Sequence, residues 1–141
     1  MTPEEEARDA RRLKRLEMIQ AIITRTAQNS FAIKGWAITV CAAILALGAK
    51  DGALPFAPLA IVPTLIFWGL DAYYLSLERR YRALYERAAA DFDPAMTLKL
   101  GDAQQSGAAL TVPYAMFAWV VMPVYVALLG LAAAIIYNAH R

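Results

Sequence analysis

Cysteine, histidine and charge in the C-terminal third are scarce in this chain, and each scarcity removes a class of function. The 141 residues hold one cysteine, Cys41, which excludes an internal disulfide and any cysteine-based metal cluster. The one histidine, His140, is the penultimate residue, and in the membrane orientation derived below it lies on the opposite side from most of the acids. A histidine-centred catalytic site therefore has no partners to gather into one pocket. Glycine-rich phosphate loops and metal-ligand spacings are missing as well. The basic residues alternate with acids, and the net charge is only +2. That is the pattern of solvated helices, not of a nucleic-acid surface. The expectation is a protein with no enzymatic activity, no cofactor, no metal and no nucleic-acid partner.

What the chain has is apolar length. Hydrophobic residues make up 60% of it and its mean hydropathy is +0.41, above the roughly half that soluble domains carry. No charged residue occurs between Asp102 and His140. Runs of about 20 apolar residues cross a bilayer as helices, so the composition predicts an all-α integral membrane protein. The first such run begins at Phe31, behind a segment containing Glu4, Glu5 and Glu6. A signal peptide would open with a short basic region, so the N-terminal segment is expected to be retained.

Five segments follow. Residues 1–30 read as a cytoplasmic amphipathic arm, opened by Thr2, Pro3 and Glu5 as a capping box. Leu13, Leu16, Ile19, Ile23, Ala27 and Phe31 repeat at helical spacing along one face. Residues 31–75 form a transmembrane hairpin, turning at Lys50–Gly52, with Pro63 predicting a kink in its second span. Residues 76–92 continue that second helix as a cytoplasmic stalk. Its stripe is Leu70, Tyr74, Leu77, Tyr81, Leu84 and Ala88, and Glu78 and Arg82 make an i,i+4 pair. The stalk is expected to pair antiparallel with the arm. At 1.5 Å per residue the arm is about 40 Å long and the stalk about 20–25 Å. The distal arm, residues 3–15, should then lie uncovered. Residues 93–112 form a cytoplasmic linker, and residues 113–137 a third transmembrane helix with Pro123 inside it.

Charge sets the orientation. Twelve of the fourteen Lys and Arg lie before Gly35 or between Leu77 and Leu100. With those segments cytoplasmic, the N-terminus is inside and the C-terminus periplasmic, in the bacterial inner membrane. Trp36, Trp68, Tyr73, Tyr74 and Tyr114 then share the inner headgroup level. The assembly candidates are Leu16, Ile19, Ile23, Phe31, Lys34 and Trp36 on the first helix, and Trp68, Asp71, Tyr74, Leu77, Tyr81 and Leu84 on the second. Lys34 reads as an interfacial anchor. Asp71 reads as a structural acid at the inner interface, wetted or paired with Arg79, Arg80 or Lys34. Cys41 reads as a small packing residue, and Asn29 and Ser30 as junction residues that can hydrogen-bond across helices. Small-xxx-small spacings occur at Ala42/Ala46 and Gly130/Ala134, compatible with packing within or between subunits.

The stretches "LEMIQAIITRTAQNSFAIKGW" and "FWGLDAYYLSLERRYRALYE" carry a resemblance over residues 13–90. They are similar to a group of uncharacterised small bacterial membrane proteins that share Leu16–Gln20, Asn29–Phe31, Lys34–Trp36, Trp68, Leu70–Asp71, Tyr73–Tyr74 and Glu78–Arg79. More loosely, the layout resembles SLATT-type and related two-transmembrane effectors of prokaryotic conflict systems. That resemblance implies a homo-oligomer that permeabilises the inner membrane in antiviral defence when a cytoplasmic sensor or partner protein triggers it. The third span and the lack of a distinct sensor domain depart from that pattern. The alternative is a non-enzymatic membrane scaffold that docks a cytoplasmic partner. Solute transport ranks last, because it needs a polar path at mid-bilayer that Asp71 alone does not supply.

Overall fold

The computed structural model describes residues 2–50, 57–90 and 111–139, and among them every regular element is helical. Helix α1 runs Pro3–Lys50, α2 Ala57–Ala90, α3 Val112–Met116 and α4 Met122–Ala139. The hairpin turn and the linker at 93–110 lie outside the described residues. Both α1 and α2 contain a stretch long and apolar enough to cross a membrane.

Helix α1 begins as its sequence predicts. The Thr2 backbone N–H donates to Glu5 Oε2 at 2.6 Å, and the Glu5 N–H donates to Thr2 Oγ1 at 3.3 Å. Hydrogen bonding from Thr2, first from its backbone N–H and then from its hydroxyl, holds the Glu5 carboxyl below its ordinary range. Three glutamates in the first turn also suit the positive end of the helix. From there 48 residues continue unbroken, about 72 Å of rod at 1.5 Å per residue.

Helix α2 folds back antiparallel along α1. Arg12 meets Ala89, Ser30 meets Asp71 and Cys41 meets Thr64, so rising numbers on one helix meet falling numbers on the other. The buried positions of α1 are Ile19, Ile23, Thr26, Ser30, Ala37 and Cys41. Their spacing of 4, 3, 4, 7 and 4 is the heptad seam of two supercoiled helices. Toward the free ends of the rods, Ile19 and Ile23 close on Leu84 and Ala88, with Leu16, Tyr81 and Tyr85 packed around them.

Two expected seam residues fall elsewhere. Phe31 is 80% exposed and Leu70 is 42% exposed. A 3.6-residue stripe drifts from Ile23 to Ala27 and Phe31, whereas the 3.5-residue seam goes to Thr26 and Ser30. Among the described residues, the uncovered tip is also shorter than the expected 3–15. Arg12 crosses to the Ala89 carbonyl, one of the four left open at the end of α2. Of the described residues of α1, Pro3–Arg11 project beyond it, about 14 Å.

Pro63 lies inside α2 without ending it. The C-terminal segment differs more. Residues expected to form one helix over 113–137 divide into α3 and α4, with a turn at 117–121. Pro123 lacks the N–H that a continuous helix would need, and it sits instead in the first turn of α4, where that lack costs nothing. The Met116 carbonyl freed by the break accepts from Trp68 Nε1 at 3.0 Å. Trp68 then stacks on Tyr125 with centroids 6.0 Å apart and meets Phe117 edge-on at 6.3 Å. Ala37, Ala72, Leu75, Ala115, Val121 and Tyr125 complete this second core, joining α3 and α4 chiefly to α2.

Leu84 is fully buried where the rods meet, so Leu84→Ala should cost about 2–5 kcal/mol. Hydrogen exchange of the full chain should show faster exchange across residues 12–26 and little change in α4. Unchanged protection of that stretch would mean the rods do not depend on each other.

Candidate functional site

Midway along the α1–α2 seam the side chains turn polar. Asp71 is 0% exposed, a costly place for a carboxylate without a counter-charge. Lys34 supplies one, its Nζ 2.7 Å from Asp71 Oδ2 and 2.8 Å from Oδ1. Ser30, one turn earlier on α1, donates its hydroxyl proton to Asp71 Oδ1 and accepts from Lys34 Nζ at 3.0 Å. The spacing of four residues brings Ser30 and Lys34 to the same side of α1. Among the described residues, Asp71 Oδ2 has no contact of hydrogen-bond geometry, although the Lys34 ammonium is close enough to neutralise it.

The third partner comes from α4. Tyr125 is fully buried, and its hydroxyl lies close enough to Asp71 and Cys41 to interact with them electrostatically. It too lacks a hydrogen bond among the described residues. Tyr125 faces the pair without being bonded to it. Further along the seam, Cys41 Sγ lies 3.0 Å from Thr64 Oγ1, which donates to the Ala60 carbonyl at 2.7 Å. Thr26 turns its hydroxyl back onto its own helix, toward the Ile22 and Ile23 carbonyls. Seryl, lysyl, aspartyl, tyrosyl and threonyl groups thus share a narrow strip between three helices.

A serine bonded to a lysine can be a nucleophile with its base. Here the lysine Nζ is paired with Asp71, and the serine hydroxyl is directed to the same carboxylate. The arrangement holds charge in place and positions helices. No group of three His, Cys, Asp or Glu gathers among the described residues.

Of the sequence candidates, Lys34 and Asp71 come together, and Ser30 joins them. The pairing of Asp71 with Lys34 was one of three foreseen, but the acid is sealed, not wetted. Arg79 instead lies over the Tyr114 ring, 5.8 Å from its centroid. Trp68 anchors α3, and Ile19, Ile23, Leu77 and Leu84 are buried, with Leu16, Tyr74 and Tyr81 partly so. Phe31 and Trp36 are exposed. Sequence reasoning missed Tyr125 and Thr64. A tyrosine in an uncharged run reads as one more apolar residue, and only its height opposite Asp71 on a folded-back helix gives it a role. No protein-family model, curated protein or solved structure matches the chain.

The pair should behave as a unit. Lys34→Met alone leaves a buried carboxylate without its counter-charge and should cost about 3–5 kcal/mol. The double variant Lys34→Met/Asp71→Leu should cost less than either single change. Denaturant unfolding in micelles, followed by helicity, measures the cycle; additive losses would show that the two charges do not interact.

Proposed function

We propose that this chain is an integral protein of the bacterial inner membrane that self-associates and breaches that membrane in antiviral defence. The N-terminus and the α1–α2 rods lie in the cytoplasm, and α4 ends in the periplasm. One observation carries the reading: the apolar faces of the long helices are left open. In the most apolar stretch of α1 17% of residues are covered, and in that of α2 33%. A core helix of a water-soluble protein would be mostly covered, and water does not tolerate open apolar faces of this extent. A bilayer does.

Several features support the finer parts. The placement of Lys and Arg sets the orientation by the positive-inside tendency. Trp36, Tyr73 and Tyr114 are exposed at the heights where interfacial aromatics would stand. Ala42/Ala46 and Gly130/Ala134 all face away from the fold, and nothing lies within 4 Å of a Cβ built on Gly130. Such pairs offer close-approach surfaces to neighbouring copies. The layout also shares the hairpin-plus-cytoplasmic-helix plan of conflict-system effectors. Non-enzymatic action fits a centre in which Ser30 and Lys34 are both committed to Asp71.

A second reading, a membrane adaptor, is favoured by the projecting tip Pro3–Arg11, a capped helix end with no intrachain cover among the described residues.

Induced expression in bacteria, together with the neighbouring genes and phage challenge, should collapse the membrane potential reported by a voltage-sensitive dye and arrest growth. Full potential and continued growth under those conditions would contradict the effector reading. Capture of one stoichiometric soluble partner without leak would favour the adaptor.

A further inference from the structure

We infer that a groove between α1 and α2 seats one anionic glycerophospholipid of the cytoplasmic leaflet, an inference that rests on the membrane placement proposed above. The groove holds about 300 Å³ and is lined by Asn29, Ala32, Ile33 and Trp36 of α1 and Phe67 and Tyr74 of α2. That volume is at the small end of ligand sites. No residue of α3 or α4 lines it.

Its two ends differ in chemistry. Asn29 and Tyr74 stand at the end toward the cytoplasmic rods, while Trp36 and Phe67 stand toward the bilayer interior. From Asn29 to Trp36 is seven residues, about 10 Å along the helix. An occupant must therefore be polar above and apolar below, over the depth where a phospholipid passes from phosphate to acyl chain.

Charge selects among phospholipids. Arg25 lies one helical turn before Asn29 on the same side of α1, and it is exposed. Arg79, Arg80, Arg82 and Arg87, the basic residues of the stalk, all have interactions within the chain. Lys34 is held by Asp71. Neither Arg25 nor Asn29 has a side-chain partner among the described residues. An unpaired guanidinium above an unbonded amide matches a phosphodiester, because the planar fork can donate two parallel bonds to its oxygens. Phosphatidylglycerol leaves that phosphate charge uncompensated, whereas phosphatidylethanolamine offsets it with its own ammonium.

The test uses the purified full chain in detergent, titrated with equimolar phosphatidylglycerol and phosphatidylethanolamine and read by native mass spectrometry. One basic side chain at the surface of an anionic leaflet contributes about a five-fold preference. The wild-type chain should therefore retain phosphatidylglycerol about five-fold over phosphatidylethanolamine. Arg25→Gln should bring the two lipids to parity. Arg8→Gln, an equally exposed change at the far tip of the arm, should leave the preference intact. Ala32→Trp, which fills the groove, should abolish it. Parity in the wild-type chain, or equal loss in Arg8→Gln and Arg25→Gln, would overturn the inference. So would a change of oligomeric state in Ala32→Trp with lipid retention unchanged, since the occupant would then be a second copy. Alkaline carbonate extraction separates the two failures. Release into the supernatant defeats the membrane placement itself, whereas retention in the pellet without lipid preference defeats the lipid seat alone.

Discussion

A carboxylate and an ammonium sealed between two helices fix how those helices can meet. Asp71 is wholly buried, and Lys34 and Ser30 reach it from adjacent turns of α1. Sliding α2 along α1 by one turn would leave both charges without partners, a loss of several kcal/mol. The apolar contacts on either side are less exacting. Ile19 and Ile23 could pack against another Leu or Ala at the same height with little loss, as in any heptad seam. Polar residues at single seam positions are the best attested device for holding register, and the seam of this chain has its polar residues in the middle.

The rest of the molecule is arranged around that register. With Ser30 opposite Asp71, the rods extend far enough for Arg12 to reach the carbonyl of Ala89 at the end of α2. On the other side, Trp68 and Ala72 come to the face where α3 and α4 return. Trp68 does two jobs there, donating to the Met116 carbonyl and stacking on Tyr125. The break between α3 and α4 is thus matched by a donor on α2, and Tyr125 is brought to the height of the ion pair. Charge pair, rods and third helix form one connected structure in which α4 closes the polar strip.

Much of the fold was legible in the sequence because its signals are one-dimensional. Apolar run length marked both long helices, and Thr2 with Glu5 announced the start of α1 down to its two reciprocal hydrogen bonds. The antiparallel arm and stalk followed from two stripes, and Ile19, Ile23, Leu77 and Leu84 are buried as their spacing requires. Phe31 failed because the seam becomes polar at Thr26 and Ser30, where a search for hydrophobic periodicity follows the wrong residues. The site was half legible: Asp71 and Lys34 stood out as charges in apolar stretches. Tyr125, which faces them from α4, did not, since its position depends on a break at 117–121 that Pro123 permits but does not dictate.

The central claim concerns a distance between two exposed positions beside the Ile19–Leu84 contact. Gln20→Cys and Glu86→Cys, in a Cys41→Ala background, can carry spin labels without disturbing the seam. Double electron–electron resonance in lipid nanodiscs should give one narrow distribution within about 25 Å, roughly two helix diameters. A broad distribution centred well beyond that would mean the rods do not lie together, and the register set by Lys34 and Asp71 would have no structure to govern.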